Sequence, residues 1–163
     1  MSTDEPQWLD AEEQGTWMVL AVLMIQLPAA LDAQLQRDAE ISHFEYQVLA
    51  GLSMTPERTL RMSVLAEFAT ASLSRLSHTV KRLEKQGWVR RTTDPDDGRC
   101  TLAVLTDAGW DKVVATAPGH VAEVRRLVFD SLTKAQQRQL REAGRRINDT
   151  ISPDAPCPGP GRD

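Results

Sequence analysis

The sequence predicts a mainly α chain with a small β-wing, and three observations carry that prediction. Residues 94–98, Asp-Pro-Asp-Asp-Gly, form an acidic turn that offers one arginine, Arg99, at a hairpin tip. A run with β-character follows from Cys100 to Leu105, and residues 88–92 read as the strand before the turn. Upstream, two helical segments are separated only by Ala71 and Ser72, and the second places Leu73, Leu76, Val80 and Leu83 on one face. Short helix, tight turn, helix, strand, turn, strand is the order of a winged helix-turn-helix. An arginine on a rigid hairpin suits insertion into a DNA minor groove, and the helix upstream suits the major groove.

The remaining elements follow in chain order. Residues 1–9 are polar and expected to fray. A long helix is predicted over residues 10–38, with Trp17, Leu20, Met24, Leu27, Leu31 and Leu35 at spacings of three and four. Pro28 should kink it or start a new segment. Val19, Val22, Leu23 and Ile25 make its middle apolar nearly all round, which requires burial on more than one side. Ser42 and Glu45 form a capping box for a second helix. Residues 54–58 break the chain, and residues 60–62 are a short extended piece. Ser63 is expected to cap a helix over 64–70, Ser72 one running through Gln86, and Gly87 to end the latter. Thr106 caps a helix to about Phe129 with a bend at Pro118 and Gly119, and Thr133 with Gln136 opens another to about Ile151. Residues 152–163 carry four prolines and are expected to be disordered.

Composition narrows the function. With 163 residues the chain suits one domain, or one domain with an oligomerisation arm. An aromatic content of 5% leaves little for a single-strand stacking platform. Cys100 and Cys157 make no disulfide framework, so a reducing cytoplasm is the default location. The start, Met-Ser-Thr-Asp-Glu, lacks the basic opening of a signal peptide. The longest apolar stretch, residues 17–27, holds 11 residues broken only by Gln26 and falls short of the ~18–20 that span a bilayer, so no membrane partner is expected. The net charge of −4 is unevenly spread. Residues 58–91 hold eight Lys and Arg against only Glu67 and Glu84, a basic block in an acidic protein that suits one phosphate-facing surface or is a solvated basic face.

The chain resembles the MarR family of bacterial transcription regulators. Asp97, Gly98 and Arg99, followed by Leu105 and Thr106, fit the family's D-x-R-x-x-x-x-x-L-T wing signature, and Gly109 falls where the family has glycine. Leu65-Ala66-Glu67 fits the first helix of the helix-turn-helix, and residues 82–91 fit the end of the recognition helix and the first wing strand. The resemblance runs from about residue 15 to residue 148. It implies a single domain over 1–163, with dimerisation helices at 10–38 and 107–151 around a winged helix-turn-helix at 40–106. It further implies an obligate homodimer acting as a repressor, less often an activator, under small-molecule or oxidative control.

Arg75 and His78, on the exposed side of the recognition helix, are the predicted base contacts, with Ser74 and Ser77 to bases or phosphates. Lys81 and Lys85, nearer its C-terminal end, suit phosphate; Arg82 suits phosphate or an ion pair with Glu84 or Asp97. Arg99 is the wing-tip arginine, with Asp97 holding its guanidinium. Arg90 and Arg91 flank the wing, one of them expected on phosphate, and Ser63 at a helix N-terminus can add a backbone phosphate contact. The dimer implied by the resemblance would set two recognition helices about one DNA turn, ~34–36 Å, apart on double-stranded DNA, which makes an inverted-repeat operator the expected target.

The resemblance places an effector pocket between the dimerisation helices and the winged domain. Trp17, His43, Tyr46 and Ala50 are candidate lining, the last three sharing one helix face, or else ordinary core and interface residues. A phenolic or aromatic-acid ligand is the family default. His43, His78 and His120 show no paired metal-ligand spacing, although His43 with Glu40 or Glu45, and His120 with Glu123, could meet in space. No metal and no cofactor is expected. Peroxide-sensing members carry a reactive N-terminal cysteine, which is absent here; Cys100 sits in the wing. No nucleophile elbow, P-loop or dinucleotide loop is present, which argues against an enzyme. The alternative to a ligand-controlled regulator is a constitutive or architectural DNA-binding protein without an effector.

Overall fold

The computed structural model describes residues 6–152; the expected disordered tail falls, from residue 153 onward, outside the described residues, as do residues 1–5. The chain divides into a unit ending at Val121 and a second beginning at Ala122.

In the first unit α1 spans Ala11–Ala39, α2 His43–Ser53, α3 Met62–Phe68 and α4 Leu73–Lys85. Strands β1 (Thr59–Arg61), β2 (Val89–Thr93) and β3 (Thr101–Leu105) form an antiparallel sheet in the order β1-β3-β2. A single 3-10 turn, Pro56–Arg58, precedes β1. Helix α5 covers Asp107–Val124. The second unit holds a π turn, Arg125–Phe129, and α6, Lys134–Ile151, which opens with the expected Thr133 and Gln136 capping box.

Local chemistry explains the helix starts. Asp10 accepts from the backbone N–H groups of Glu12 and Glu13 while Glu13 returns to the Asp10 N–H, so α1 begins on a capping box. Ser42 and Glu45 do the same for α2. Ser72 caps α4 through the Arg75 N–H, and Gly87 leaves that helix at φ 76°, a left-handed conformation that glycine adopts without a Cβ penalty. Thr106 serves two elements at once. Its Oγ1 accepts from the Gly109 N–H at 3.0 Å and donates to the Gly87 carbonyl at 2.6 Å, tying the start of α5 to the end of α4.

Three expectations need correction. Pro28 neither splits nor restarts the first helix; α1 is continuous across it, and because the proline is exposed, water can serve the carbonyl that its missing N–H leaves unpaired. Ser63 does not cap α3: the cap position is Arg61, without a side-chain bond, because β1 feeds the helix two residues earlier. On α4, Leu73 is exposed and Thr79 is buried, so the inward row is Leu76, Thr79, Val80 and Leu83. Leu73 is the first helical residue, at the tight turn, and overhangs the end of that row.

The core gathers residues 35–113 of the first unit. Leu35, Val48, Leu49, Leu52, Leu65, Leu76 and Val80 are fully buried, and Val89, Ala103 and Leu105 carry the sheet into it. Only Leu31, Gln34 and Leu35 of α1 are buried. Its N-terminal two-thirds exposes Trp17, Met18, Val19, Val22, Leu23, Met24 and Ile25. The bilayer expectation also changes: once the helix is counted through Gln26 and Pro28, α1 is long and apolar enough to cross a membrane by length and composition.

Candidate nucleic-acid interface

Helices α3 and α4 are joined through Thr70 at φ 48° and a 2.9 Å bond from the Ala71 N–H to the Ala66 carbonyl. The turn is tight because residue 70 takes a left-handed conformation, uncommon for a β-branched residue. With the inward row of α4 buried, Ser74, Arg75, His78, Lys81, Arg82 and Lys85 are exposed on the opposite side, and Ser77 is half-buried. Ser63 is exposed in the first turn of α3.

The arginines of this surface are held in different ways. Arg75 lies over the Phe44 ring, 4.1 Å from its centroid. Arg82 donates from Nε to Glu45 Oε1 at 2.9 Å, so its acidic partner is neither Glu84 nor Asp97. Glu84 is taken by Arg91, which donates its backbone N–H to Oε1 at 3.0 Å and its Nε to Oε2 at 2.9 Å. The Arg91 bonds hold the Glu84 carboxyl below its ordinary range. Burial alone would raise the Glu45 carboxyl, but the Ser42 N–H and Arg82 more than offset it, and the net direction is downward. Lys81, Lys85 and Arg90 form no ion pair among the described residues.

The wing is braced at its base and its tip. Asp94, buried at the end of β2, accepts from Arg61 Nε at 2.7 Å and from the Asp96 N–H at 2.9 Å, which pins the turn to β1. The Asp94 N–H meets the Cys100 carbonyl at 2.9 Å and the Cys100 N–H meets the Asp97 carbonyl at 2.8 Å, closing the loop. At the tip the Arg99 side chain is 92% exposed and Asp97 holds it. Hydrogen bonds from Arg99 lower the Asp97 carboxyl, keeping it ionised and aimed at the arginine. Burial and the neighbouring Asp97 push the Cys100 thiol up, which disfavours the reactive thiolate.

A cleft of about 620 Å³ opens beside α4. Pro28 and Asp32 of α1, His43, Phe44 and Gln47 of α2, and Arg75, His78, Thr79 and Arg82 of α4 line it, together with Ser42 and Ala69. Of the four residues expected to line a pocket, His43 does. Tyr46 is buried with its ring 4.6 Å from that of His120, and Ala50 packs against the core. Trp17 is 53% exposed and lies away from the cleft. The His43 and His120 rings stand 5.8 Å apart, and His120 Nδ1 meets Gln34 Oε1 at 3.3 Å. Burial lowers both imidazoles; Asp32 partly opposes this at His43, while His43 adds to it at His120. Among the described residues no three His, Cys, Asp or Glu side chains converge as a metal site.

Sequence reasoning did not find three of these contacts: Phe44 beneath Arg75, Glu45 against Arg82, and Arg61 on Asp94. The seven-residue spacing of Arg75 and Arg82, two helical turns, does signal that one neighbouring element should meet both.

The MarR family model matches residues 41–101. The chain is similar to Sco3205 of Streptomyces coelicolor, a MarR family transcriptional regulator with a crystal structure in complex with DNA. Identity is 48%, covering 93% of this chain and 95% of that one, with a TM-score of 0.89. It is similar to AbsC of the same organism, also a MarR family transcriptional regulator, at 34% identity over 90% of this chain and 98% of that one, with a TM-score of 0.85. It is 30% identical over 81 residues to the uncharacterized HTH-type transcriptional regulator YdcH of Bacillus subtilis, a match spanning 48% of this chain and 55% of that relative. Identity of 48% sustained across both chains almost end to end exceeds what a shared architecture alone requires, and the chain belongs to the MarR family of transcriptional regulators.

Proposed function

We propose that the chain is a sequence-specific repressor that binds an inverted-repeat operator as a homodimer and is released by a small aromatic anion, a phenolic acid being the simplest case. The observation that carries the DNA reading is the wing tip. Arg99 is almost wholly exposed, and its guanidinium is aimed by Asp97 rather than left mobile. The exposed row of α4 supplies a second contact surface, with Arg75 and His78 toward base edges, Ser74 and Lys81 beside them and the half-buried Ser77 at its border. Arg90 and Ser63 are exposed and suit phosphate, as do Arg82 and Arg91 at the cost of sharing their carboxylate partners. The DNA complex of the similar Sco3205 supports this reading.

The homodimer is supported by the apolar surface of α1, which a lone copy leaves in water. A second copy is favoured over a bilayer because the likeness to a DNA-bound regulator extends over 93% of this chain. Release by ligand is supported by the cleft, because Arg75, His78 and Arg82 line it and also lie on the DNA-facing row. An aromatic anion there would draw on the same cations that DNA uses, so the two would compete.

Fluorescence anisotropy tests the reading: purified protein is titrated onto duplex DNA from upstream of its own gene, at fixed near-physiological salt, against excess random duplex. Saturable binding of one dimer per site that survives competitor, and that salicylate-type acids reverse, is the expected result. Binding lost to competitor on every fragment points instead to constitutive, architectural binding.

A further inference from the structure

We propose that Phe44 is a positioning residue for base reading: its ring holds the Arg75 guanidinium by the face and leaves the N–H edge free for a base. The inference rests on the reading of α4 as the helix that meets DNA. A guanidinium carries its five N–H donors in its own plane, while a ring beneath it engages only the flat face. Arg75 lies 4.1 Å over the Phe44 centroid, and no carboxylate accepts from its side chain among the described residues. Arg82 and Arg91 differ, because each gives its Nε to a glutamate. Arg75 is therefore oriented without spending the donors that guanine O6 and N7 require for a bidentate contact.

The platform is itself fixed. Phe44 sits in the first turn of α2, where the Ser42 and Glu45 capping box sets the backbone, and its ring packs against the core. The adjacent Glu45 holds Arg82, seven residues beyond Arg75 on the same face of α4. One turn of α2 thus grips α4 at two points, and only the ring contact leaves its arginine's donor edge unoccupied.

The test uses the full-length protein and a random-sequence duplex library. Wild-type protein selects its preferred site, and affinities for that site and for a scrambled duplex are measured for Phe44→Leu, Phe44→Tyr, Arg75→Ala, Arg75→Lys and the Phe44→Leu, Arg75→Ala pair. Phe44→Leu should weaken the selected site roughly three- to tenfold while leaving scrambled binding unchanged, as expected for loss of a cation–π contact. Phe44→Tyr should restore it, and Arg75→Lys should lose selectivity while keeping charge. In the Arg75→Ala background Phe44→Leu should have no further effect. Equal loss in both backgrounds, or selectivity retained by Phe44→Leu, overturns the proposal. If Phe44→Leu does not fold, Arg75→Lys retaining full selectivity overturns it. Failure of the wild type to enrich any sequence overturns the α4 reading and this proposal together, and so is distinguishable from failure of the proposal alone.

Discussion

Asp97 Oδ1 accepts both the backbone N–H and the Nε of Arg99, each at 3.2 Å, so one carboxylate sets the backbone and the side chain of the wing tip together. An acidic residue beside an arginine proposed to meet DNA costs some attraction to phosphate, and this bracing accounts for it. Arg99→Ala should weaken operator binding and reduce the salt slope by about 1. Because the side chain is so exposed, the melting temperature should move by no more than about 2 °C. Asp97→Asn should fall between wild type and Arg99→Ala, since the amide still accepts but no longer carries charge. Affinity unchanged in Arg99→Ala would remove the wing from the interface.

Gly109 lies against the carbonyl oxygen of Trp88, and a Cβ built there would run into that oxygen and come within 2.6 Å of Leu105 Cδ1. The obstacle is backbone, which cannot step aside as a flexible side chain can. Gly109→Ala should destabilise the protein by roughly 1–3 kcal/mol, the usual cost of overpacking a filled site. Urea unfolding measures it, and a variant as stable as wild type would show that the junction of α5 with the wing is loosely packed.

His43 and His120 are both held below the ordinary imidazole value by burial. Between their folded and unfolded values the unfolded chain binds more protons, so stability rises with pH through that window. It should fall as pH drops below about 6.5. His120→Gln should flatten the dependence between neutral and mildly acidic pH. Carboxylates held low, such as Glu45 with its ordinary value of 4.5, act in a separate and more acidic window, where stability present above that value is lost as pH falls. Urea midpoints across this range check both, and a slope unchanged in His120→Gln would exclude His120 as a source.

The exposed row on α1 should be where two copies meet. Val22→Glu and Ile25→Glu place a charge on residues that a single chain leaves 49% and 73% exposed. Each should turn a dimer into a folded monomer on gel filtration with light scattering at low micromolar concentration. Retained dimers in both variants would move the interface elsewhere.

Much of the architecture was legible because its signals are local. Three capping boxes, a helix ended by Gly87 and an acidic hairpin each depend on residues a few positions apart, and all but the first, at Asp10, are legible in place. Pro28 starts no new segment, because proline's local preference to end a helix is outweighed by the segments on either side of it. The braced arginine at the wing tip was legible for the same local reason: Asp97 and Arg99 are two residues apart.

What the sequence alone determined, then, is the order of elements, the winged-helix class and the set of cations that face outward. Tertiary structure alone decided which of those cations are engaged and by what. Glu45 reaches Arg82 across 37 residues and Asp94 reaches Arg61 across 33, distances in sequence over which no periodicity carries information. The fold closes those gaps by burying Val48 and Leu49 of α2 and Leu76 and Val80 of α4 in one core, and it leaves equivalent-looking arginines with different partners, Arg82 bonded to a carboxylate and Arg75 lying over an aromatic ring.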